Sequence, residues 1–339
     1  MTKADKIRVL IVNDSLFMCE AIKSILEDDP QIEVIGRAMN GQEGIEEAFK
    51  LKPDVTVMDL DMPVMSGFEA IEHIMEENPL PIIILSTLDI PLIIKALGNG
   101  AMGFVAMKQG VEGIADDLVE KVKIASRVRP LRRIRIRPIV KAREIKEKGA
   151  APRKIVAIGI STGGPQALQL LLSKLPAHLS CGILIVQHMT SGFVEGLAEW
   201  LIQSSPLNIR VAKEGDILGI GEVLLAPDDH HMKINAEKRI ILSKDTTQST
   251  YHIPSVDVMM QSVAAAFGRD ALGVIMTGMG RDGVEGIKAI KQAGGKTIAQ
   301  DEKTSVIFGM NREAINTGCV DKIVALEKIA DEIVSMVSN

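Results

Sequence analysis

The stretch KIVAIGISTGGP at residues 154–165 decides how the second half of the chain folds. Its first seven residues form a mainly apolar run, which predicts a short buried β-strand. A serine, a threonine and two glycines follow, and a leucine-rich stretch that predicts a helix begins at Ala167. Ser161 therefore lies in a sharp strand-to-helix turn with the spacing G-x-S-x-G. This turn places one hydroxyl at the edge of a sheet, beside the free N–H groups that open a helix.

Two further apolar runs end in residues that suit a reactive serine. Residues 182–188 (GILIVQH) end in His188, and residues 271–283 (ALGVIMTGMGRDG) end in a glycine-rich turn that contains Asp282. Because reacting groups gather at the carboxyl ends of parallel strands, we expect Ser161, His188 and Asp282 at one edge of one sheet. In a serine hydrolase the hydroxyl attacks, the imidazole transfers its proton, and the carboxylate holds the imidazole. The sequence therefore predicts a Ser-His-Asp triad.

Length and composition favour a two-domain α/β protein. The chain has 339 residues, of which 46% are hydrophobic and 3% aromatic, and this length exceeds the usual size of a single core. A net charge of −5 gives no reason to expect nucleic-acid binding. The three cysteines show no CxxC spacing, which is typical of a reducing compartment. Without an apolar run of about 18 residues or a signal-peptide pattern, we expect a cytoplasmic protein with no membrane insertion.

The first part of the chain alternates strand and helix signals five times. Short strands separated by helices of about 10–15 residues predict βαβ units, and right-handed crossovers make them a doubly wound, five-stranded parallel sheet. The apolar runs that predict its strands lie at residues 7–12, 32–35, 54–58, 81–85 and 103–107.

Residues 126–152 interrupt this alternation with ten Lys or Arg against two Glu. We interpret them as a basic interdomain linker, and a docking strip for an acidic partner or an anionic membrane surface is the alternative. A second α/β alternation then runs to a C-terminal helix predicted over residues 324–337. The predicted organisation is a first domain over 1–125, the linker, and a mostly parallel, doubly wound second domain over 153–339.

Polar residues follow the strands of the first domain where each strand ends. Asp14 follows the first strand, Asp59 and Asp61 follow the third, Ser86 ends the fourth, and Lys108 comes after the fifth. Carboxylates at adjacent strand ends suit Mg²⁺, which prefers oxygen ligands. A carboxylate beside such a cation can attack a phosphoryl group, while a hydroxyl and a lysine bind the phosphoryl oxygens. The pattern predicts a phosphate-handling site.

With these residues, the chain over about 6–125 resembles a response-regulator receiver domain. The resemblance implies that Asp59 is the phosphoacceptor and that Asp14, Asp59 and a main-chain carbonyl near Asp61 hold Mg²⁺. A histidine kinase would be the phosphodonor. The residues of the switch would be Ser86, Phe104 and Lys108.

Two positions depart from the receiver pattern. Asn13 stands where the first acidic residue is usual, which removes one charge and should weaken Mg²⁺ binding. Lys108 is followed by Gln109 instead of proline and lies one residue later than in the pattern, with Met107 in its place. A bulge would restore the position of the lysine, so we still expect phosphorylation.

Four motifs of the second half together resemble the chemotaxis protein-glutamate methylesterase (CheB) catalytic domain. The resemblance implies that Ser161 is the nucleophile, His188 the base and Asp282 its orienting carboxylate, with no cofactor for the esterase reaction. The backbone N–H groups of Thr162 and Met279 would form the oxyanion hole. The motifs are Ser161–Pro165, Gln187–Met189, Pro254–Asp257 and Thr277–Gly283.

The receiver-then-esterase order implies a phosphorylation-activated serine hydrolase. Its substrates would be the glutamate methyl esters of methyl-accepting chemoreceptors, in sensory adaptation, with glutamine deamidation as a second activity. The alternatives are a receiver-controlled binding module without catalysis and an esterase of a non-chemotaxis sensory pathway. A DNA-binding regulator is not expected, because no helix-turn-helix pattern follows the linker.

Three local interpretations remain open at this point. Asp282 is either the triad carboxylate or merely the N-cap of a helix that begins near Gly283. Pro254–Asp257 either starts a helix or lines the substrate site. For Asp228–His231 we prefer a hydrogen-bonded turn to a metal site, because adjacent ligands rarely converge on one ion.

Overall fold

The computed structural model describes residues 6–87, 89–107, 112–128, 130, 152–244 and 252–338. The chain divides into two compact units, Met1–Arg135 and Ile136–Asn339. Lys108, Gln109 and most of the predicted linker lie outside the described residues. The predicted domain limits at 125 and 153 therefore stay predictions.

The first unit is a five-stranded parallel sheet with strand order β2-β1-β3-β4-β5 and helices between the strands. This confirms the predicted receiver-type fold. Its elements are β1 (Ile7–Val12), α1 (Leu16–Glu27), β2 (Ile32–Ala38), α2 (Gly41–Leu51), β3 (Val55–Asp59), α3 (Gly67–Glu77), β4 (Ile82–Ser86), α4 (Ile90–Gly98), β5 (Gly103–Ala106) and α5 (Ala115–Ala125).

Side-chain caps explain where several of these helices begin. The Ser15 hydroxyl accepts from the Met18 N–H at the start of α1. Ser66 and Glu69 form a reciprocal capping box at the start of α3, which satisfies two backbone donors. Strand order reverses between β1 and β3, whose residues Val12 and Met58 are paired in register. The residues after these two strands consequently lie side by side at a switch point, where open α/β sheets bind ligands.

The second unit is a seven-stranded sheet with order β14-β13-β12-β6-β7-β9-β8 and only parallel pairs, together with the antiparallel hairpin β10-β11. Its elements are β6 (Ile155–Ile160), α6 (Gly164–Lys174), β7 (Gly182–Gln187), α7 (Val194–Ile202), β8 (Asn208–Val211), β9 (Glu222–Leu225), β10 (His231–Ile234), β11 (Ile240–Ser243), α8 (Val256–Phe267), β12 (Ala271–Ile275), α9 (Val284–Gln292), β13 (Lys296–Gln300), α10 (Met310–Asn316), β14 (Lys322–Val324) and α11 (Leu326–Ser338).

The centre of this sheet brings the three predicted strand ends together. Strand β6 lies between β12 and β7, and all three are buried along their whole length. In register, Gly159 pairs with Ile275 on one side, and Ile160 pairs with Gln187 on the other. The chain segments that follow these strands therefore leave the sheet at one edge. Within the ranges that the structure covers, no helix is long and apolar enough to cross a bilayer.

Candidate active site and phosphorylation site

Ser161 leaves β6 in a turn that is fixed by backbone hydrogen bonds. Its N–H donates to the Thr277 carbonyl at 2.9 Å, and its own carbonyl accepts from the Gly164 N–H at 2.8 Å. Helix α6 then begins at Gly164 without a side-chain cap. The Ser161 hydroxyl makes no hydrogen bond within the described part of the chain. The turn therefore holds the serine backbone rigidly and leaves the hydroxyl available.

Gln187, which the sequence interpretation treated only as part of a motif, ties the serine turn to the histidine. Its amide nitrogen donates to the carbonyl of Ser161 at 2.9 Å and to the carbonyl of His188 at 2.8 Å. The side chain is 6% exposed, and its oxygen accepts no hydrogen bond from a described residue. A Cβ on Gly164 would lie 1.8 Å from that oxygen, so only glycine fits there. An amide at the end of a fully buried strand was the available sequence signal.

His188 is bound to Asp282 as the sequence predicts. The Nε2 atom of His188 lies 2.8 Å from Oδ2 of Asp282, and the two side chains are 12% and 10% exposed. A carboxylate accepts hydrogen bonds, so Nε2 carries the ring proton and Nδ1 keeps its lone pair. The His188 N–H donates to the carbonyl of Ile160, one residue before Ser161. Nδ1 is consequently the ring nitrogen that can take a proton from the serine.

Asp282 is held at the start of α8, not at the start of its own helix. Its carboxylate accepts from the Ser255 hydroxyl at 2.8 Å, the Val256 N–H at 2.7 Å and the Asp257 N–H at 2.9 Å. Burial alone would raise the pKa of Asp282, but the hydrogen bonds from His188 and these backbone donors outweigh it and lower the pKa. The carboxylate therefore stays ionised beside the histidine.

The structure selects among the local alternatives for these two loops. Helix α9 begins at Val284, its N-cap residue is Gly283 and that residue supplies no side-chain cap, so Asp282 does not cap its own helix. Instead, Oδ1 of Asp257 accepts from the Gly283 N–H at 2.9 Å and from the Gly286 N–H at 2.7 Å. Ser255 is the N-cap of α8, which makes Pro254–Asp257 a helix start. The two helices α8 and α9 thus exchange acidic caps, and this exchange fixes the position of Asp282.

The Asp257 carboxyl differs from Asp282 in its electrostatic surroundings. Burial raises its pKa to about 6, the nearby Asp282 charge adds to the rise, and the N–H groups of Gly286 and Gly283 oppose it. Two backbone donors are therefore insufficient to offset the cost of a buried charge beside a second carboxylate. Asp282 has His188 and Ser255 as additional donors, and its pKa is lowered.

The predicted oxyanion donors both belong to segments in contact with Ser161. Thr162 follows it directly, and a Cβ on Gly278 would lie 2.7 Å from the Cβ of Ser161. The Thr277 hydroxyl donates to the Thr162 carbonyl at 2.9 Å, which joins the two segments. Among the residues with described positions, the N–H groups of Thr162 and Met279 donate no hydrogen bond. Both donors are free to bind an oxyanion.

The residues Asp228–His231 form hydrogen bonds with segments beside the site. The Asp228 carboxylate accepts from the Gly192 N–H at 2.6 Å, in the segment that follows His188. Nδ1 of His231, a side chain only 1% exposed, accepts from the Ser255 N–H at 3.2 Å. These contacts support the two segments that carry His188 and the Asp282 donors.

The phosphorylation candidate Asp59 lies at the carboxyl end of β3. The side-chain amide of Asn13 donates to its Oδ2 at 2.9 Å, and the Asp61 N–H reaches its Oδ1 at 3.2 Å. Burial raises the pKa of Asp59, and the negative charges of Asp14 and Asp61 add to the rise while backbone donors oppose it. Asp59 is thus a half-buried carboxylate among other carboxylates, with an amide in place of the usual first acid.

The predicted switch residues Ser86 and Phe104 lie on the two strands beyond β3. Ser86 ends β4, Phe104 lies in β5, and both are 7% exposed. The Lys121 ammonium lies 5.7 Å from the centroid of the Phe104 ring and donates to the Phe104 carbonyl at 2.8 Å. The third predicted switch residue, Lys108, lies outside the described residues.

The donor set around Asp59 fits Mg²⁺. Asp14 and Asp61 are exposed and close enough to Asp59 to raise its pKa, and oxygen donors are what this cation prefers. No three His, Cys, Asp or Glu side chains within the described ranges form a metal-holding group. Binding at this site would therefore need a main-chain oxygen and water besides the carboxylates, as the predicted carbonyl near Asp61 would provide.

Comparisons with known proteins agree with both halves of this description. The CheB methylesterase family model matches residues 156–333, and the response regulator receiver domain model matches residues 9–118. A Pyrococcus abyssi protein named protein-glutamate methylesterase/protein-glutamine glutaminase is 43% identical, and the match covers 98% of this chain and 94% of the relative. A Geobacter sulfurreducens relative of the same name, with the number 3, is 40% identical over 97% of each chain.

Among the solved structures that resemble this chain, a catalytic domain matches the second unit. The crystal structure of the Thermotoga maritima CheB methylesterase catalytic domain aligns with a TM-score of 0.52 and 36% sequence identity. The match covers 54% of this chain and 98% of that domain. Together with the near full-length relatives, it confirms the predicted family and fold. The chain belongs to the CheB methylesterase family and carries a receiver domain ahead of its methylesterase domain.

Proposed function

We propose that this protein is a phosphorylation-activated serine esterase that removes methyl groups from glutamate side chains of methyl-accepting chemoreceptors in the cytoplasm. The observation that carries the proposal is the His188–Asp282 hydrogen bond of 2.8 Å beside the Ser161 turn. That bond keeps the proton on Nε2 and the lone pair on Nδ1. The names of the near full-length relatives supply the substrate class.

The reaction begins with transfer of the Ser161 hydroxyl proton to Nδ1 of His188. The serine oxygen attacks the ester carbonyl carbon, and the N–H groups of Thr162 and Met279 bind the resulting oxyanion. When the tetrahedral intermediate collapses, the C–O bond to the methoxy group breaks, and the leaving oxygen takes the proton from Nδ1. Methanol departs and leaves an acyl-enzyme.

Water completes the cycle by the same steps. Nδ1 of His188 accepts a proton from water, the hydroxide attacks the acyl carbon, and Ser161 leaves with that proton. Asp282 stays ionised throughout, because its pKa is lowered, and it stabilises the imidazolium that forms twice in each turnover. The net change is ester plus water to carboxylate plus methanol, and no cofactor takes part.

Glutamine deamidation is the second activity that we propose. The relatives' names combine methylesterase with glutaminase. An amide presents the same carbonyl to Ser161, and ammonia replaces methanol as the leaving group. The poorer leaving group makes proton donation by His188 more important for this substrate.

Phosphorylation of Asp59 would control the esterase, and a chemotaxis histidine kinase would be the phosphodonor. One carboxylate oxygen of Asp59 attacks the phosphorus of the donor, and the P–N bond to the kinase histidine breaks. Mg²⁺, held by Asp14, Asp59 and a main-chain carbonyl near Asp61, would neutralise charge on the phosphoryl oxygens. Ser86, Phe104 and Lys108 would then respond to the phosphoryl group. The receiver domain would comprise residues 1–125, the linker residues 126–152, and the esterase domain residues 153–339.

The test is release of labelled methanol from chemoreceptor membranes that carry methyl-³H glutamate esters. Wild type, Ser161→Ala and Asp59→Asn are compared with and without acetyl phosphate. We expect release by wild type that rises with acetyl phosphate, none by Ser161→Ala, and a basal rate that does not respond to acetyl phosphate in Asp59→Asn.

Each departure from this result would point to a different function. Receptor binding without methanol release would favour a receiver-controlled binding module. Turnover of simple methyl esters, but not of chemoreceptors, would favour an esterase of another sensory pathway. Equal rates with and without acetyl phosphate would remove the phosphorylation control and leave the esterase.

A further inference from the structure

We propose that His252 is a positioning residue for the base His188, an inference that rests on the proposed esterase function. The two imidazole rings are stacked, with ring centroids 4.5 Å apart and an interplanar angle of 26°. None of the reaction steps above uses His252. Its ring nevertheless covers one face of the ring that transfers the proton.

A second support for the His188 ring is needed for geometric reasons. The torsion that turns a histidine ring about its Cβ–Cγ bond has broad minima, so the rotamer alone does not fix the ring plane. The bond to Asp282 fixes one edge of the ring through Nε2. A stacked neighbour restricts the remaining tilt and keeps the Nδ1 lone pair in one direction.

The position of His252 depends on the same carboxylate that holds His188. Three residues after His252, the Ser255 hydroxyl donates to Oδ1 of Asp282 at 2.8 Å, and the Ser255 N–H donates to the buried His231. His188 is bound to Oδ2 of the same Asp282. Asp282 therefore binds both the base His188 and the chain segment that carries His252.

The charge state of His252 suits this role. Partial desolvation of its ring and the neighbouring His188 lower its pKa, while Asp282 raises it, although the residue as a whole is exposed. A neutral ring offers its π-face to the imidazolium that forms on His188 during each proton transfer, and it excludes water from that face. The His188 side chain is 12% exposed.

The experiment replaces His252 in the full-length protein by Phe, which keeps a ring, and by Ala, which removes it. His178→Ala is the matched control, an exposed histidine of the same unit. We measure kcat and KM for methyl-ester hydrolysis, the rate at which a fluorophosphonate labels Ser161, and the NMR signal of the His188 Nε2 proton in ¹⁵N-histidine-labelled protein.

We expect His252→Ala to lower kcat and the labelling rate by about 10- to 100-fold, because a small displacement of a reacting group has an effect of that size. KM should stay within about twofold, since the substrate-binding groups are unchanged. His252→Phe should recover most of both rates, and His178→Ala should match wild type. The His188 Nε2 proton signal should persist in His252→Phe and broaden in His252→Ala.

Two results would overturn the inference. Unchanged kcat and labelling in His252→Ala would show that the stack has no role. Equal losses in the Ala and Phe variants would show that the imidazole itself or the fold is needed, and not a ring against His188. If wild type releases no methanol, the proposed function fails, but the Nε2 proton signal in the two variants still decides whether His252 positions His188.

Discussion

Asp59 and Asp282 each lie at the carboxyl edge of a parallel sheet, yet the chain treats these two carboxylates in opposite ways. The pKa of Asp59 is raised by burial, with Asp14 and Asp61 adding their negative charges. The pKa of Asp282 is lowered although burial opposes this, because His188 and the start of α8 donate hydrogen bonds to it. The sheet edge supplies the location, and the neighbours decide the chemistry.

The difference matches the two proposed roles. Asp282 is satisfied by groups of the chain itself, so it holds a histidine and needs nothing from solution. Among the described residues, Asp59 accepts hydrogen bonds from the Asn13 amide and from the N–H groups of Asp61 and Leu60, beside two further carboxylates. The neighbouring carboxylates add negative charge at Asp59, which a bound cation would offset.

Substitution of Asp282 should have the largest effect on catalytic activity. In Asp282→Asn, an amide NH₂ at the Oδ2 position would face the N–H of Val256 and the Nε2–H of His188, which are both donors. Relief of this conflict moves the histidine proton to Nδ1, which then cannot accept the serine proton. We expect kcat for methyl-ester hydrolysis to fall about 10³- to 10⁴-fold.

Asp321→Asn is the matched control for this variant. Asp321 also has a lowered pKa, because its hydrogen bonds with Lys291 and Thr297 outweigh its partial burial. It lies directly before β14, at the edge of the same sheet that is opposite to the catalytic edge. It should lose stability without a comparable loss of kcat. If both variants lose kcat in proportion to their loss of thermal stability, the tautomer argument for Asp282 is wrong.

The fold and the strand ends of the site were predictable because they depend on local patterns. Apolar runs alternating with helical segments specify parallel sheets, and the polar residues after those runs lie at the sheet edge. Ser161, His188 and Asp282 were found in this way. The structure joins His188 to Asp282 and keeps the Ser161 turn beside them, bound through the amide of Gln187.

The supports of the site could not be predicted, because they arise between segments far apart in sequence. The Ser255–Asp282 bond spans 27 residues, and the His188–His252 stack joins the end of β7 to the segment before α8. A local interpretation of Asp282 offered a cap for its own helix, whereas the structure uses it at the start of α8. A side chain can cap the N-terminus of a distant helix by the same hydrogen bonds that it would form with its own helix. The sequence alone does not show which helix N-termini lie close together.

Asp257 lies beside Asp282 but resembles Asp59 in its electrostatics. Burial and the Asp282 charge raise its pKa to about 6. The folded state holds this proton more tightly than the unfolded chain, so its contribution to stability falls as pH rises from about 4 to about 6. Asp257→Asn removes this fall. Relative to wild type, the variant should gain about 1–2 kcal/mol in unfolding free energy between pH 4 and pH 7, after allowance for solvent screening.

Urea unfolding at several pH values measures this difference. The amide oxygen can still accept from both Gly283 and Gly286, because both N–H groups bind the single atom Oδ1 of Asp257. Asp331→Asn, an exposed position of α11, controls for the loss of one negative charge. A pH-independent difference between Asp257→Asn and wild type would contradict the raised pKa.

The smallest expected effect concerns Asn13, whose amide makes the Asp59 site less negative than a fourth acid at that position would, beside Asp14, Asp59 and Asp61. Asn13→Asp replaces the donor to Asp59 Oδ2 by an acceptor and adds one negative charge. Cation sites bind more tightly as ligand charge increases, so we expect the Mg²⁺ concentration for half-maximal labelling by [³²P]acetyl phosphate to fall about three- to fivefold. Asp14→Asn is the control with the opposite sign, and it should raise that concentration. If Asn13→Asp leaves the Mg²⁺ requirement unchanged, the negative charge around Asp59 does not set cation affinity, and the contrast with Asp282 would then be one of hydrogen bonding alone.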